Sequence, residues 1–260
     1  TRAYCEGKLD AEDFPMADVS DHLERANTVV WVDILEPSEA QLRALADELS
    51  LHELAVEDAL SAHQRPKLDR YEDHMFLSSH AVSADVENGE LRETEVDAFV
   101  HSRWLITVRK NDGFLIDDVL RRWDRSPHLA AHGISFMLYG LLDVIVDGYF
   151  DAAQAFDDYY DKVSEALFAE NSIEPSKQRE WFEVRRALFR FHRLVVPMRE
   201  VISSLMRRDE SIVSEALYPY FQDVYDHTLR IAETSDSLRD LVSTIVETNL
   251  SLRDYRQNQI

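Results

Sequence analysis

Two pairs of carboxylates stand in otherwise apolar surroundings. Glu57 and Asp58 lie inside the run LAVEDAL, and Asp143 and Asp147 lie inside LLDVIVD. At least one acid of each pair must face a packed environment. Two carboxylates about 4 Å apart at an effective dielectric near 20 repel by about 4 kcal/mol, so such a pair either takes up a proton or recruits a cation. Hard oxygen donors without His or Cys suit Mg²⁺ or Ca²⁺, and Mg²⁺ keeps several waters and needs only one or two direct carboxylates. The same acids equally suit helix capping or pairing with an arginine-rich segment further on, and the local pattern leaves both readings open.

Other chemistry finds no residues to carry it. There is no phosphate-cradling loop, no Gly-rich dinucleotide fingerprint, no nucleophile elbow and no EF-hand string. The segment His52-Glu53-Leu54-Ala55-Val56 starts like a zinc-protease helix, but Val56 stands where the second His ligand is required. An enzyme is therefore not expected. The single cysteine, Cys5, excludes a disulfide framework and a Cys-based zinc site. With 28 Lys+Arg against 50 Asp+Glu the net charge of the 260 residues is −22, which disfavours nucleic acid and favours cations or basic proteins. The N-terminus has no secretory signal. The most apolar stretch, 134–150, is interrupted by Asp143 and Asp147 and falls short of the roughly 20 residues of a membrane helix. A start without Met and an end at Ile260 inside a helical pattern suggest a piece of a longer protein.

The elements that must position these acids divide the chain. Strand patterns cover 28–35, 74–84, 93–101 and 104–109, with Asn88-Gly89 as a hairpin signal between the second and third. Helical patterns cover 37–49, 52–60 and 115–123. All six glycines fall in the first 148 residues, so the remainder reads as long helices broken only near Pro175, Pro197 and Pro219. The fold class is α/β (α+β), a mixed or antiparallel sheet flanked by helices, followed by a long helical hairpin and a long stalk helix. The expected division is 1–128 for the sheet domain, 129–215 for the hairpin and 216–260 for the stalk.

Charge sorts along the helical half. Residues 143–170 carry eight acids against Lys162, a balance of −7, and residues 176–208 carry nine bases against three acids, a balance of +6. Joined by a short connection around Asn171 to Pro175, they read as an antiparallel hairpin of complementary arms. Beyond Pro219, steps of three and four give Phe221, Val224, Thr228, Ile231, Ser235, Leu238, Val242, Ile245, Asn249 and Leu252. A heptad seam on a helix of roughly 60 Å asks for partner helices, and its polar members suggest a fixed register or a wet lining.

Taken together, several motifs in order resemble the CorA-type divalent cation transporters, over about Val29 to the last residue. They are Val56-Glu57-Asp58-Ala59-Leu60 with His63-Gln64-Arg65-Pro66-Lys67 and Tyr71-Glu72-Asp73; Leu141-Leu142-Asp143 with Val146-Asp147 and Tyr149-Phe150; Pro197-Met198-Arg199-Glu200-Val201; and Pro219-Tyr220-Phe221-Gln222-Asp223-Val224-Tyr225-Asp226-His227. The resemblance implies the cytoplasmic, ion-sensing and gating domain of a magnesium channel of the cell membrane, its stalk leading into membrane helices and a Gly-Met-Asn filter beyond Ile260. It implies a homopentamer. It also implies Mg²⁺ between subunits, with Co²⁺, Zn²⁺ or Ca²⁺ as substitutes, held by Asp58 of one copy and Asp223 of the next, with Glu57 and Asp143 at an adjacent site. Glu247, where Asp is more usual, and Asn258 would line the central pathway. The alternatives are the cytoplasmic domain of a Zn²⁺ or Co²⁺ transporter of the same superfamily and a helical oligomerisation scaffold that uses no metal.

Overall fold

The run TVVWVDIL alternates little because both of its faces are covered, as expected of a strand in a parallel pair. In the computed structural model, residues 1–62, 64–170, 175–208 and 212–258 are described, those at 168–170, 175–178, 208, 253, 256 and 257 by backbone alone. The order is β1 (Arg2–Cys5), β2 (Lys8–Glu12), α1 (Val19–Glu24), β3 (Thr28–Leu35), α2 (Glu39–Leu49), α3 (Glu53–Leu60), β4 (Lys67–Arg70), β5 (Met75–Asp85), β6 (Glu90–Val100), β7 (Trp104–Arg109), α4 (Ile116–Arg125), α5 (Ile134–Glu170), α6 (Pro175–Arg208) and α7 (Tyr218–Gln257). His63 and the connection at 171–174, both singled out above, lie outside the described residues, as do Gln259 and Ile260.

The seven strands form one sheet in the order β2-β1-β3-β7-β6-β5-β4. Only β3 and β7 are parallel, from Val30 opposite Trp104 to Leu35 opposite Arg109. Arg109 clamps Asp33 across that pair, Nη2 to Oδ2 at 2.6 Å, and donates to the Phe114 carbonyl at 3.0 Å, so one guanidinium fixes both the register and the turn into α4. The four expected strands are present within a few residues. The three that the pattern did not reveal are β1, β2 and β4. Of these, β2 and β4 are the two edges, written KLDAE and KLDR. Edge strands carry charge because charge discourages pairing with another chain, and that erases the apolar signal.

Alternate residues of the central strands feed two cores. Val30, Val32, Ile34, Phe76, Phe99, Trp104, Ile106 and Val108 pack with α1, α2 and α3. Leu77, Val96, Ala98 and Leu105 pack with α4 to α7 on the opposite face. At the hairpin, Gly89 takes φ +68 and approaches α6 so closely that a Cβ would stand 2.8 Å from Glu183 Cβ.

Three expectations about the helices change. Pro197 does not break α6, which runs through it with Val195, Met198 and Ile202 fully buried. Burial on both sides outweighs the roughly 3 kcal/mol that an interior proline costs. The α7 seam is consumed within the chain: α7 lies along both α5 and α6, more closely than those two lie along each other, and every seam position from Phe221 to Asn249 is buried. Ser235 fixes that register through His192 of α6 at 3.0 Å. The charged arms of α5 and α6 do not pair as expected. Among the described residues no ion pair joins them; the ion pairs that leave these helices run from Arg122 of α4 to Asp143 and Asp147, from Arg190 to Glu93 of β6, and from His192 to Asp236 of α7.

Asp97 of β6 is fully buried opposite Ser78, with Lys110 Nζ 3.5 Å away. Lys110 also donates to the Ala59 carbonyl at the end of α3. Burial first, and Glu95 second, push the Asp97 carboxyl from its ordinary 3.8 up to about 7. The folded chain therefore holds a proton that the unfolded chain releases, and stability falls as pH rises from about 4 to about 7. Relative to Asp97→Asn, the native chain should lose stability across that window and run parallel above it, read as urea midpoints from about pH 4.5 to about pH 8. Parallel curves throughout would mean that Asp97 is ionised in the fold at every pH.

Candidate metal site

Helix α3 begins at His52, whose ring accepts the Leu54 N–H at 3.2 Å and stacks on Tyr71 at 4.1 Å. The residue that opens a false zinc-protease motif is thus a helix cap. Ala55, Val56 and Ala59 face the core, which turns Glu57 to solvent and leaves Asp58 half-buried in the last turn. A negative charge at a helix C-terminus is disfavoured by the helix dipole. Lys67 of β4 compensates it, with Nζ 2.6 Å from Asp58 Oδ2 and 2.8 Å from Asp69 Oδ2. Burial opposes the charged ammonium, yet hydrogen bonds to Asp58 and Asp69 hold its pKa above the ordinary value.

Asp143 is 5% exposed on the inner side of α5. It receives Arg122 of α4 and the Tyr139 hydroxyl, the latter at 3.2 Å, while Arg122 also reaches Asp147 at 2.6 Å. The seat of α4 is the notch at Gly140, where a Cβ would stand 2.5 Å from Trp123 Nε1; that nitrogen donates to the Met137 carbonyl at 3.2 Å. Tyr139 packs edge-on against Tyr220 at 5.3 Å, so the start of α7 adjoins the same corner. Asp223 there is 65% exposed, with His227 Nε2 at 3.7 Å. Glu247 is exposed further along α7, and Asn258 is exposed where the helix ends, its N–H donating to the Asp254 carbonyl at 3.1 Å.

The acids therefore fall into two groups. Glu57 and Asp58 belong to the layer on one face of the sheet, and Asp143 and Asp223 to the helices on the other, with layers about 10 Å apart. Among the described residues no three His, Cys, Asp or Glu side chains are grouped so as to hold a metal ion. A site that uses both Asp58 and Asp223 needs a second chain. Sequence reasoning missed Lys67, Arg122 and Tyr139 as partners of these acids. The i,i+4 spacing of Tyr139 and Asp143 was a readable signal, whereas nothing local links Arg122 to Asp143.

Compared with known proteins, residues 26–260 match the family model described as CorA-like Mg²⁺ transporter protein. The chain is 28% identical over 238 residues to the cobalt/magnesium transport protein CorA of Thermotoga maritima, covering 90% of this chain and 67% of that one. The soluble domain of CorA from Methanocaldococcus jannaschii superposes with a TM-score of 0.71 at 20% identity, over 86% of this chain and 88% of that one. The full-length CmaX protein superposes with a TM-score of 0.76 at 21% identity, over 89% of this chain and 70% of that one. The sheet flanked by helices and followed by long helices is the fold of these structures.

Breaking a buried pair from one side costs about 3–5 kcal/mol, and the partial exposure of Arg122 reduces that to about 2–3 kcal/mol for Arg122→Met. Adding Asp143→Asn should return most of the loss, because the orphaned charge is then gone. Denaturant unfolding of the two variants reads both values, and a double variant as unstable as the single one would refute the pairing.

Proposed function

The chain belongs to the CorA-like Mg²⁺ transporter family, a family of divalent cation transporters, and on that premise we propose that it is the cytoplasmic, ion-sensing domain of such a transporter. In this reading a divalent cation, Mg²⁺ foremost, is held between copies by Asp58 of one and Asp223 of the next. Residues 1–128 serve as the sensing module, 129–215 as the hairpin and 216–260 as the stalk. Among the described residues no helix is long and apolar enough to cross a membrane. The observation that carries the reading is the split of the acids: Asp58 and Asp223 both reach solvent on opposite sides of one sheet, so only an arrangement of copies brings them together. The homopentamer rests on the family resemblance.

The donor set fits a hard cation, since the carboxylates offer oxygen alone and Mg²⁺ supplies the rest of its shell from water. Asp58 must share itself between Lys67 and the cation. While bridged, the acids of neighbouring copies stay together; without the bridge, charges about 4 Å apart repel by about 4 kcal/mol at an effective dielectric near 20. That repulsion spreads the copies, and α7, seated along its length on α5 and α6, carries the movement towards the pore. Glu57 joins the adjacent site from solvent. Asp143 joins it only as Arg122 turns away. Glu247 and Asn258, both exposed, face the pathway between stalks.

Mg²⁺ at about ten times its dissociation constant should stabilise the chain by about 1.4 kcal/mol, seen as a raised thermal midpoint and slower proteolysis. Asp58→Ala with Asp223→Ala should abolish the effect, and Lys67→Met, which removes the competing ammonium, should lower the Mg²⁺ needed. No protection of the native chain would overturn ion sensing. Protection untouched by the double variant would overturn these ligands.

A further inference from the structure

The outer faces of α5 and α6 carry opposite charge that the chain compensates only in part: Arg186 pairs with Glu183 and Arg190 with Glu93. On α5 the exposed stripe runs through Asp151, Asp158, Asp161 and Glu165, and Phe150 beside it is 54% exposed. Burial first, and the neighbouring carboxylates of Asp161 and Asp158 next, raise the pKa of Asp157, so the acids there repel one another. On α6, Phe182, Arg185, Arg186, Phe189, Arg190 and Arg193 line a shallow groove of about 280 Å³, with Phe182 56% exposed. Arg185 lies over the Phe189 ring at 5.5 Å, and among the described residues neither it nor Arg193 has an ion-pair partner.

From these faces we infer that the acidic stripe of α5 in one copy docks on the arginine and phenylalanine face of α6 in a neighbouring copy. The level of the residues supports it. Within the chain Tyr159 meets Glu180 at 3.3 Å and Phe156 meets Phe191 at 5.6 Å, so Asp158 stands level with the stretch of about 181–189 and Asp151 with about 188–196, the span that holds Arg185 and Arg193. Copies arranged about an axis roughly parallel to the helices keep those levels, and the stripes then face each other in register. The contact joins two different surfaces, so it is heterologous, and it makes a ring where its rotation closes. The common axis is the one point borrowed from the proposed function; metal has no part in the contact.

The test measures self-association of the full chain by sedimentation velocity, with chelator present so that metal bridging does not contribute. Arg185→Glu with Arg193→Glu, and separately Asp151→Lys with Asp158→Lys, should each weaken self-association by at least about tenfold, and added salt should weaken the native contact. An equimolar mixture of the two variants should recover association, since each then offers the charge the other lacks. If a reversal variant unfolds, Arg185→Gln with Arg193→Gln reads the same loss. A native chain that stays monomeric at low salt, variants that assemble like the native chain, or a mixture that does not recover would overturn the inference. So would arginine-dependent binding to phosphatidylglycerol vesicles with self-association unchanged, which would assign the face to lipid. Because the readout contains no Mg²⁺, its failure is separable from failure of the ion-sensing reading.

Discussion

A helix of 40 residues holds one position along its length only if its apolar seam has a continuous bed. Here α5 and α6 supply that bed. Phe221, Val224, Ile231, Leu238, Val242 and Ile245 are all at most 3% exposed, each worth about 1.5–3 kcal/mol of burial. Thr228 and Ser235 are satisfied by the carbonyls of Val224 and Ala232. The rest of the architecture follows. With its seam consumed, α7 offers neighbours a polar face through Glu233, Thr234, Ser237, Asp240, Thr244 and Glu247. In the proposed assembly, contacts that α7 makes with other copies would be polar, charged or bridged by cations, which are all adjustable by ionic conditions in a way that an apolar seam is not.

The sheet imposes the second constraint. Covered on both faces, it separates the acids of α3 from those of α5 and α7, and charges that enter its interior come with partners. Asp33 is clamped by Arg109 and Thr107. Asp97 is accompanied by Lys110, which in turn fastens the end of α3. Such pairs contribute little net stability and much definition of register, since removing either member strands the other.

Counter-cations from within the chain decide which acids remain available. Lys67 moderates Asp58, and Arg122 closes over Asp143, whereas Asp223 keeps most of its surface and has His227 at 3.7 Å. The corner formed by Tyr139, Tyr220 and Asp143 joins α5 to the first turns of α7, so a change at that corner is felt directly by the long helix.

Residue order by itself determined the central strands, the helices that hold Asp58 and Asp143, and the start of α6 at Pro175 and of α7 beside Pro219, because β-branched runs, helical spacing and proline act within a few residues. It also picked out the seam of α7, leaving open whether that seam fixed a register or lined a wet space. Only the tertiary structure decided what covers that seam, that Pro197 is tolerated, and that, among the described residues, the acids of α5 and the arginines of α6 form no ion pair with each other. Periodicity states that a face is apolar and says nothing of which helix fills it, and net charge per segment does not say which way side chains point. The edge strands β2 and β4 stayed hidden because their charges serve to prevent pairing. The pairing of Arg122 with Asp143 depends on a notch at Gly140 for Trp123, a contact between residues 17 apart that no local pattern encodes.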